Sequence, residues 1–414
     1  MRSLRHRTRY LALASAAILA SALVAACGNS SGSGGSSGPI LIGASLSLTG
    51  DFSADGNAYK RGYELWASDV NAHGGLLGRK VKLIILNDDS SPNQVDTNYT
   101  DLITVKHVNL TFGPFSTLLT APSAEVAHRY GYAFVEGAGG GNLVFSEKLP
   151  NVFDVSLPVA NELDPFVTWI KSLSASQRPT TAAYPMANDP FATPQTQLAQ
   201  SELQAAGVKT VYSKIFPEEV PDYLPNADIV ASKAPEIVVL GSTDVPTVSS
   251  FMHGFEQQHY NPKVFIADAG PDQGQAFLSA VGTANANGMM VPDAWYPGYP
   301  SAASRAMVSE YVKKYGGTAS GVNADVAEAY SVGQVTAQAV DATHSLTGSK
   351  IIAYLHSNVT LTSVQGAVKF NSIGENVKAI AFIFQWQNGK FVQILPASAV
   401  GSVPVLFPKP GWSS

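Results

Sequence analysis

A single cysteine, Cys27, in 414 residues leaves no partner for a disulfide and no thiolate cluster for a metal. Charge is also sparse: 14% of residues are Asp, Glu, Lys or Arg, with 26 basic against 31 acidic and a formal charge of −5. The first 26 residues hold four arginines and no acid, so the rest of the chain counts 22 basic against 31 acidic residues. A mildly acidic body without a basic stripe excludes nucleic acid and anionic lipid as the main partner. Catalytic signatures are missing too. There is no G-x-x-x-x-G-K-S/T phosphate loop. Ala329 stands where a G-x-S-x-G elbow at 329–333 needs its first glycine, and that stretch reads as helix rather than as a strand-to-helix turn. The eight histidines are scattered without an H-x-x-x-H or H-E-x-x-H pair, so no zinc or iron site and no cofactor are expected. Glu136–Asn142 is glycine-rich, but Asn142 occupies the last position of G-x-G-x-x-G, which argues against a dinucleotide.

What is present begins with an address. Arg2, Arg5, Arg7 and Arg9 precede the apolar, small-residue run 10–26, which reads as a secretory signal over 1–26. Residues 27–38 are Gly/Ser-rich, a flexible tether with a root-mean-square reach of roughly 17–20 Å. Val24-Ala25-Ala26-Cys27 resembles a bacterial lipobox. The resemblance implies lipid attachment at the Cys27 sulfur, cleavage before it, and an extracytoplasmic location on the outer face of the membrane. A plain transmembrane anchor is the alternative, although 17 apolar residues are short for a span.

From Pro39 onward, short β-branched runs alternate with amphipathic stretches of 10–18 residues. Runs 40–44, 81–86, 108–112 and 132–135 read as strands, with helices over 55–72, 92–105 and 118–129. The pattern resumes with strands at 181–184, 208–215, 237–240 and 264–267 and helices over 193–206, 227–233 and 245–259. Alternation of this kind makes βαβ units and parallel sheets. A length of 414 residues suggests two or three domains. The series breaks near 152–158, and one sheet of a dozen strands is unusual. The expectation is therefore an α/β fold of two doubly wound parallel-sheet lobes. Consecutive helices over 301–315, 322–345 and 349–356 follow. Last come β segments 379–386 and 390–394 joined by Gln387-Asn388-Gly389, where Asn-Gly signals a hairpin.

Several stretches are similar to the leucine/isoleucine/valine-binding type of periplasmic solute-binding protein. They are Ile42–Gly50 (IGASLSLTG), Lys60–Leu65 (KRGYEL), Asp69–Val81 (DVNAHGGLLGRKV), Asn87-Asp88-Asp89-Ser90 with Pro92, Gly113–Thr117 (GPFST) and Phe370-Asn371 with Gly374. The likeness runs from about residue 40 to 395. It implies a type I periplasmic binding protein fold, a "flytrap" whose lobes are joined by three hinge crossings. Lobe I would comprise 39–155 plus 295–365, and lobe II 156–292 plus 370–410. It also implies a non-enzymatic, monomeric receptor that hands a small solute to the permease subunits of an ABC importer and meets the membrane only through its lipid. A sensor on the same fold and a secreted hydrolase are the rivals.

Solutes in open parallel sheets bind outside the carboxyl ends of strands. Gly113–Thr117 follows a strand and opens a helix, so Ser116 and Thr117 offer hydroxyls beside a helix N-terminus suited to a carboxylate. An ordinary N-cap is the plainer reading. In the resembled family the next loop adds backbone N–H groups and a Thr hydroxyl, which maps Ala138, Gly139 and Gly140 onto the site, with Gly140 at the Thr position. The same carry-over puts Phe191 at a lobe II Tyr, Thr243 at another Tyr, and Ala269 at the Glu that pairs the solute ammonium. Asp268 stands one residue earlier; Asp325 and Glu328 are the other acids within reach of that role. Phe52, Trp295 and Tyr296 are candidate aromatic walls, or core. Branched-chain amino acids head the solutes, with amides, aromatic acids and other small carboxylates open.

Overall fold

The computed structural model describes residues 38–217 and 222–412. The signal segment 1–26, Cys27 and all of the tether except Gly38 lie outside the described residues. Among the described residues no helix is long and apolar enough to cross a membrane.

The first sheet holds β1 (Ile40–Leu46), β2 (Val81–Asn87), β3 (Leu110–Phe112), β4 (Phe134–Glu136) and β5 (Val152–Asp154), all paired parallel in the order β2-β1-β3-β4-β5. The second sheet is built from β6 (Thr181–Ala187), β7 (Lys209–Phe216), β8 (Ile237–Leu240), β9 (Val264–Ala267) and β10 (Met289–Asp293). A small ribbon, β11 (Leu361–Ser363) with β12 (Gly366–Val368), precedes β13 (Phe382–Gln387) and β14 (Lys390–Leu395), which complete the second sheet in the order β14-β13-β10-β9-β8-β6-β7. Here the parallel series gives way to the hairpin expected at Asn388-Gly389. β13 runs antiparallel to β10 and to β14, the latter because a hairpin of two residues can only return antiparallel. Its turn residues Asn388 and Gly389 take φ of 52° and 75°, the left-handed pair that lets a two-residue loop follow the strands' twist.

Both sheets are covered on both faces, which is why their strands read as apolar runs rather than as alternation. In β1, Ile40, Ile42, Ala44 and Leu46 face one core, while Leu41 faces the other. In β8, Val238 and Leu240 enter one cluster and Ile237 and Val239 the opposite one. The first sheet's larger core is closed by helices Ser53–Ala72 and Ala324–Thr343. Tyr59, Tyr63 and Trp66 of the former are at most 2% exposed among Val326, Ala329 and Val332 of the latter. Trp295, Met307, Val308 and Phe370 join this same core. The chain therefore passes between the sheets three times: after β5, after β10, and between Phe370 and β13.

Each sheet has one point where the strand order turns back on itself. In the first it lies between β1 and β3, in the second between β6 and β8. The connections leaving these strands diverge to opposite faces and open a crevice at the carboxyl ends.

Candidate ligand-binding cleft

A cavity, partly open to solvent, lies at these strand ends. Residues just beyond the carboxyl ends of both sheets line it: Ser116 after β3, Ala138 and Gly140 after β4, Ser156 and Leu157 after β5, Phe191 after β6, Thr243 after β8, and Asp268 after β9. Asp293 enters from the end of β10, Asp55, Ala324 and Asp325 from the first turns of their helices, and Glu328 from the second turn of helix Ala324–Thr343.

The structure thus gathers Ser116, Ala138, Gly140, Phe191, Thr243 and Asp268 around one space. It does not bring the other expected residues there. Phe52 is 3% exposed and packs its ring edge against Phe115 at 5.7 Å, so it supports a wall from behind. Thr117 is fully buried, and its Oγ1 accepts a hydrogen bond from the Gly141 amide at 3.1 Å. Gly139 uses its amide on Glu136. Trp295 is 1% exposed in the first sheet's core and donates its indole N–H to Ser304 Oγ at 3.0 Å. Tyr296 packs on Phe382 and Phe384 and donates its hydroxyl to the Val400 carbonyl.

The loop after β4 is already engaged by the protein itself. Glu136 Oε2 accepts from the amides of Ala138 at 3.0 Å and Gly139 at 2.5 Å. Those N–H groups, expected to hold a solute carboxylate, are taken by a buried side chain. Gly140 is bare for a steric reason: a Cβ there would come 2.6 Å from the Leu157 carbonyl oxygen, so a Thr at this position has no room.

Among the described residues, seven carboxylates line the cavity and no Lys, Arg or His does. Asp268 is 2% exposed; its Oδ2 accepts from Thr196 Oγ1 at 2.6 Å, and its Oδ1 has no hydrogen-bond partner within the protein. Asp55 Oδ1 and Ser116 Oγ are likewise buried without a protein partner. Glu328 accepts from Tyr59 at 2.7 Å and Ser156 at 3.1 Å. Gln273 Nε2 donates to Asp272 at 2.7 Å and to Asp325 at 2.9 Å, tying the loop after β9 to helix Ala324–Thr343. Carboxylate oxygens of Asp55, Asp272 and Asp325 lie within 4.8 Å of one another, close enough to share one cation, ammonium or metal ion.

Loss of hydration raises every one of these acids. Asp55, Asp268, Asp293 and Asp325 are pushed well above the usual carboxylate range by burial first and by neighbouring acids second, and Glu328 is pushed up to about 8 by burial despite its two hydrogen bonds. Sequence reasoning had not singled out Asp55, Ser156, Glu162, Asp272 or Asp293. Their one shared signal is position: each sits in a strand-end loop or the first turn after one.

Over residues 39–390 the sequence matches the periplasmic binding protein family. A Brucella abortus relative called Leu/Ile/Val-binding protein homolog 7 is 24% identical over 386 residues, spanning 89% of this chain and 94% of its own length. Two solved structures share the fold with TM-scores of 0.74 and 16% identity. One is the branched-chain amino acid substrate-binding protein LivJ of Streptococcus pneumoniae in complex with isoleucine (85% of this chain, 97% of that one). The other is a solute-binding protein of an R. palustris ABC transporter in complex with benzoate (91% and 98%). The lobes, the crevice between strand ends and the sequence match agree: this chain belongs to the periplasmic binding protein family.

Proposed function

We propose that the chain is the extracytoplasmic solute receptor of an ABC importer, anchored by lipid at Cys27, and that it closes its two lobes over a small ammonium-bearing solute. Family membership makes it a solute-binding protein; the importer, the anchor and the solute are this proposal's additions. The observation that carries it is a set of unpartnered buried oxygens aimed at one cavity from both sheets: Ser116 Oγ and Asp55 Oδ1 from one side, Asp268 Oδ1 from the other. An ammonium supplies the donors that Asp268 and Asp55 lack. Ser116, at the start of the 13-residue helix Thr117–Arg129, faces a solute carboxylate with its hydroxyl and the helix's first amides. An α-amino acid carries both groups, which keeps amino acids at the head of the solutes. An aromatic acid without an amine can use Ser116 but leaves the Asp55 and Asp268 oxygens without donors.

Contacts to both sheets give the closed form its differential affinity, and hinge rotation about the crossings releases the solute. Gln273 spans the same gap, with Asn323 donating to its Oε1 at 3.1 Å, so closure also completes protein–protein hydrogen bonds. A thermal-shift screen tests the proposal with amino acids, amines, amides and aromatic acids on the purified protein, since a ligand specific to the folded form raises its melting temperature. Amine-bearing solutes are expected to raise it. If only an amide or an aromatic acid does so, the ammonium assignment fails.

A further inference from the structure

One α-ammonium needs one carboxylate partner, and the cleft offers many more. Asp55, Asp325 and Glu328 stand on the first sheet's helices, and Asp268, Asp272 and Asp293 on the strand ends of the second. Among the described residues no cationic side chain lines the space between them. Like charges so close, out of water, are tolerated only when protons or a countercharge accompany them. Two of these acids, 1% and 2% exposed, also carry an oxygen with no protein partner: Asp55 Oδ1 and Asp268 Oδ1, on opposite sides of the cavity. Asp55 belongs to the trio whose oxygens approach within 4.8 Å, and an ammonium has three N–H donors to distribute over such a trio. Meanwhile the Ala138 and Gly139 amides, the natural seats for an anion, are occupied by Glu136.

From these features we infer that the solute carries at least two protonated amines, one seated among Asp55, Asp272 and Asp325 and the other at Asp268. Diamines and basic amino acids both have this chemistry. They differ in whether a carboxylate is present to use Ser116. The inference rests on the receptor reading above and narrows its solute class.

Calorimetric titration of the purified protein with 1,4-diaminobutane, lysine, leucine and calcium chloride decides it. Diaminobutane or lysine is expected to bind at least tenfold more tightly than leucine. Lysine ahead of diaminobutane marks Ser116 as a carboxylate seat; the reverse order marks a pure diamine site. Asp268→Asn and Asp325→Asn should each weaken the preferred solute by tenfold or more. The melting temperature of the free variants should stay nearly level, because Asn keeps a carbonyl oxygen to accept from Thr196 or from Gln273. Weaker binding accompanied by a lower melting temperature reads as structural damage and overturns that residue's assignment. Leucine binding as tightly as the amines overturns the inference and leaves the receptor reading standing. Calcium binding that both acids control, with no response to amines, overturns it in favour of a metal site. No binding of any solute in this titration or in the wider screen sinks both readings.

Discussion

Trp295 carries its indole into the first sheet's core rather than into the cleft, hydrogen-bonded to Ser304 and 1% exposed. Its truncation to Ala should therefore cost about 3–5 kcal/mol of folding stability, as measured by urea unfolding. A small stability loss with a large drop in solute affinity would return it to the cleft wall. Aromatic residues that follow strands carry a single sequence signal with two structural outcomes. Phe191 lines the cavity, while Phe52 supports Phe115 from behind. Which of these occurs depends on the side from which the neighbouring helix packs, and no local pattern encodes that. Gly140 is a similar case. Its lack of a side chain follows from the Leu157 carbonyl 2.6 Å from where a Cβ would sit, a neighbour 17 residues along the chain.

At the scale of elements, the start of helix Thr117–Arg129 separates two hydroxyls that look alike in sequence. Ser116 Oγ has no protein partner, whereas Thr117 Oγ1 holds the Gly141 amide. Ser116→Ala is expected to leave stability unchanged and to weaken a carboxylate-bearing solute by about 0.5–1.5 kcal/mol. Thr117→Val strands a buried N–H and should lower stability by about 1–3 kcal/mol in denaturant melts. Equal effects of both changes on affinity alone would reject this division. The long elements were legible because their period persists: the helices at 55–72 and 245–259 and the strands at 237–240 and 264–267 lie within a few residues of the observed bounds. β5 falls in the stretch 152–158 that reads as the break between the two series. β10 contains Pro292, which argues against an interior strand. The structure accommodates that proline where β9, paired only at Met289 and Met290, has already ended.

For the whole molecule, the two-lobed plan and the placing of the crevice at strand ends followed from buried strands alternating with helices. The electrostatic character of the cleft did not. Its acids span positions 55 to 328, and each alone reads as a cap or a surface residue. Only the fold makes them neighbours, and their sum has a pH signature. Glu328, faced by Tyr59, Ser156, Asp154, Asp272 and Asp325, is raised to about 8, and Asp154 to about 7, both chiefly by burial. A carboxyl whose folded value exceeds its unfolded one keeps extra protons in the native state. The free protein should then lose stability as pH rises from about 4, the unfolded range, towards 8. Its melting temperature should fall across pH 5–8, Glu328→Gln should flatten that fall, and a cationic solute should offset it most at pH 8. A profile that rises over this interval contradicts the assignment.

Glu136 occupies backbone donors beside the same cleft. Because its carboxyl sits on the amides of Ala138 and Gly139, a dissolved acid arriving there competes with an intramolecular rival whose local concentration is on the order of millimolar or more. A dissolved acid can reach those two N–H groups only by displacing a side chain tethered two residues away.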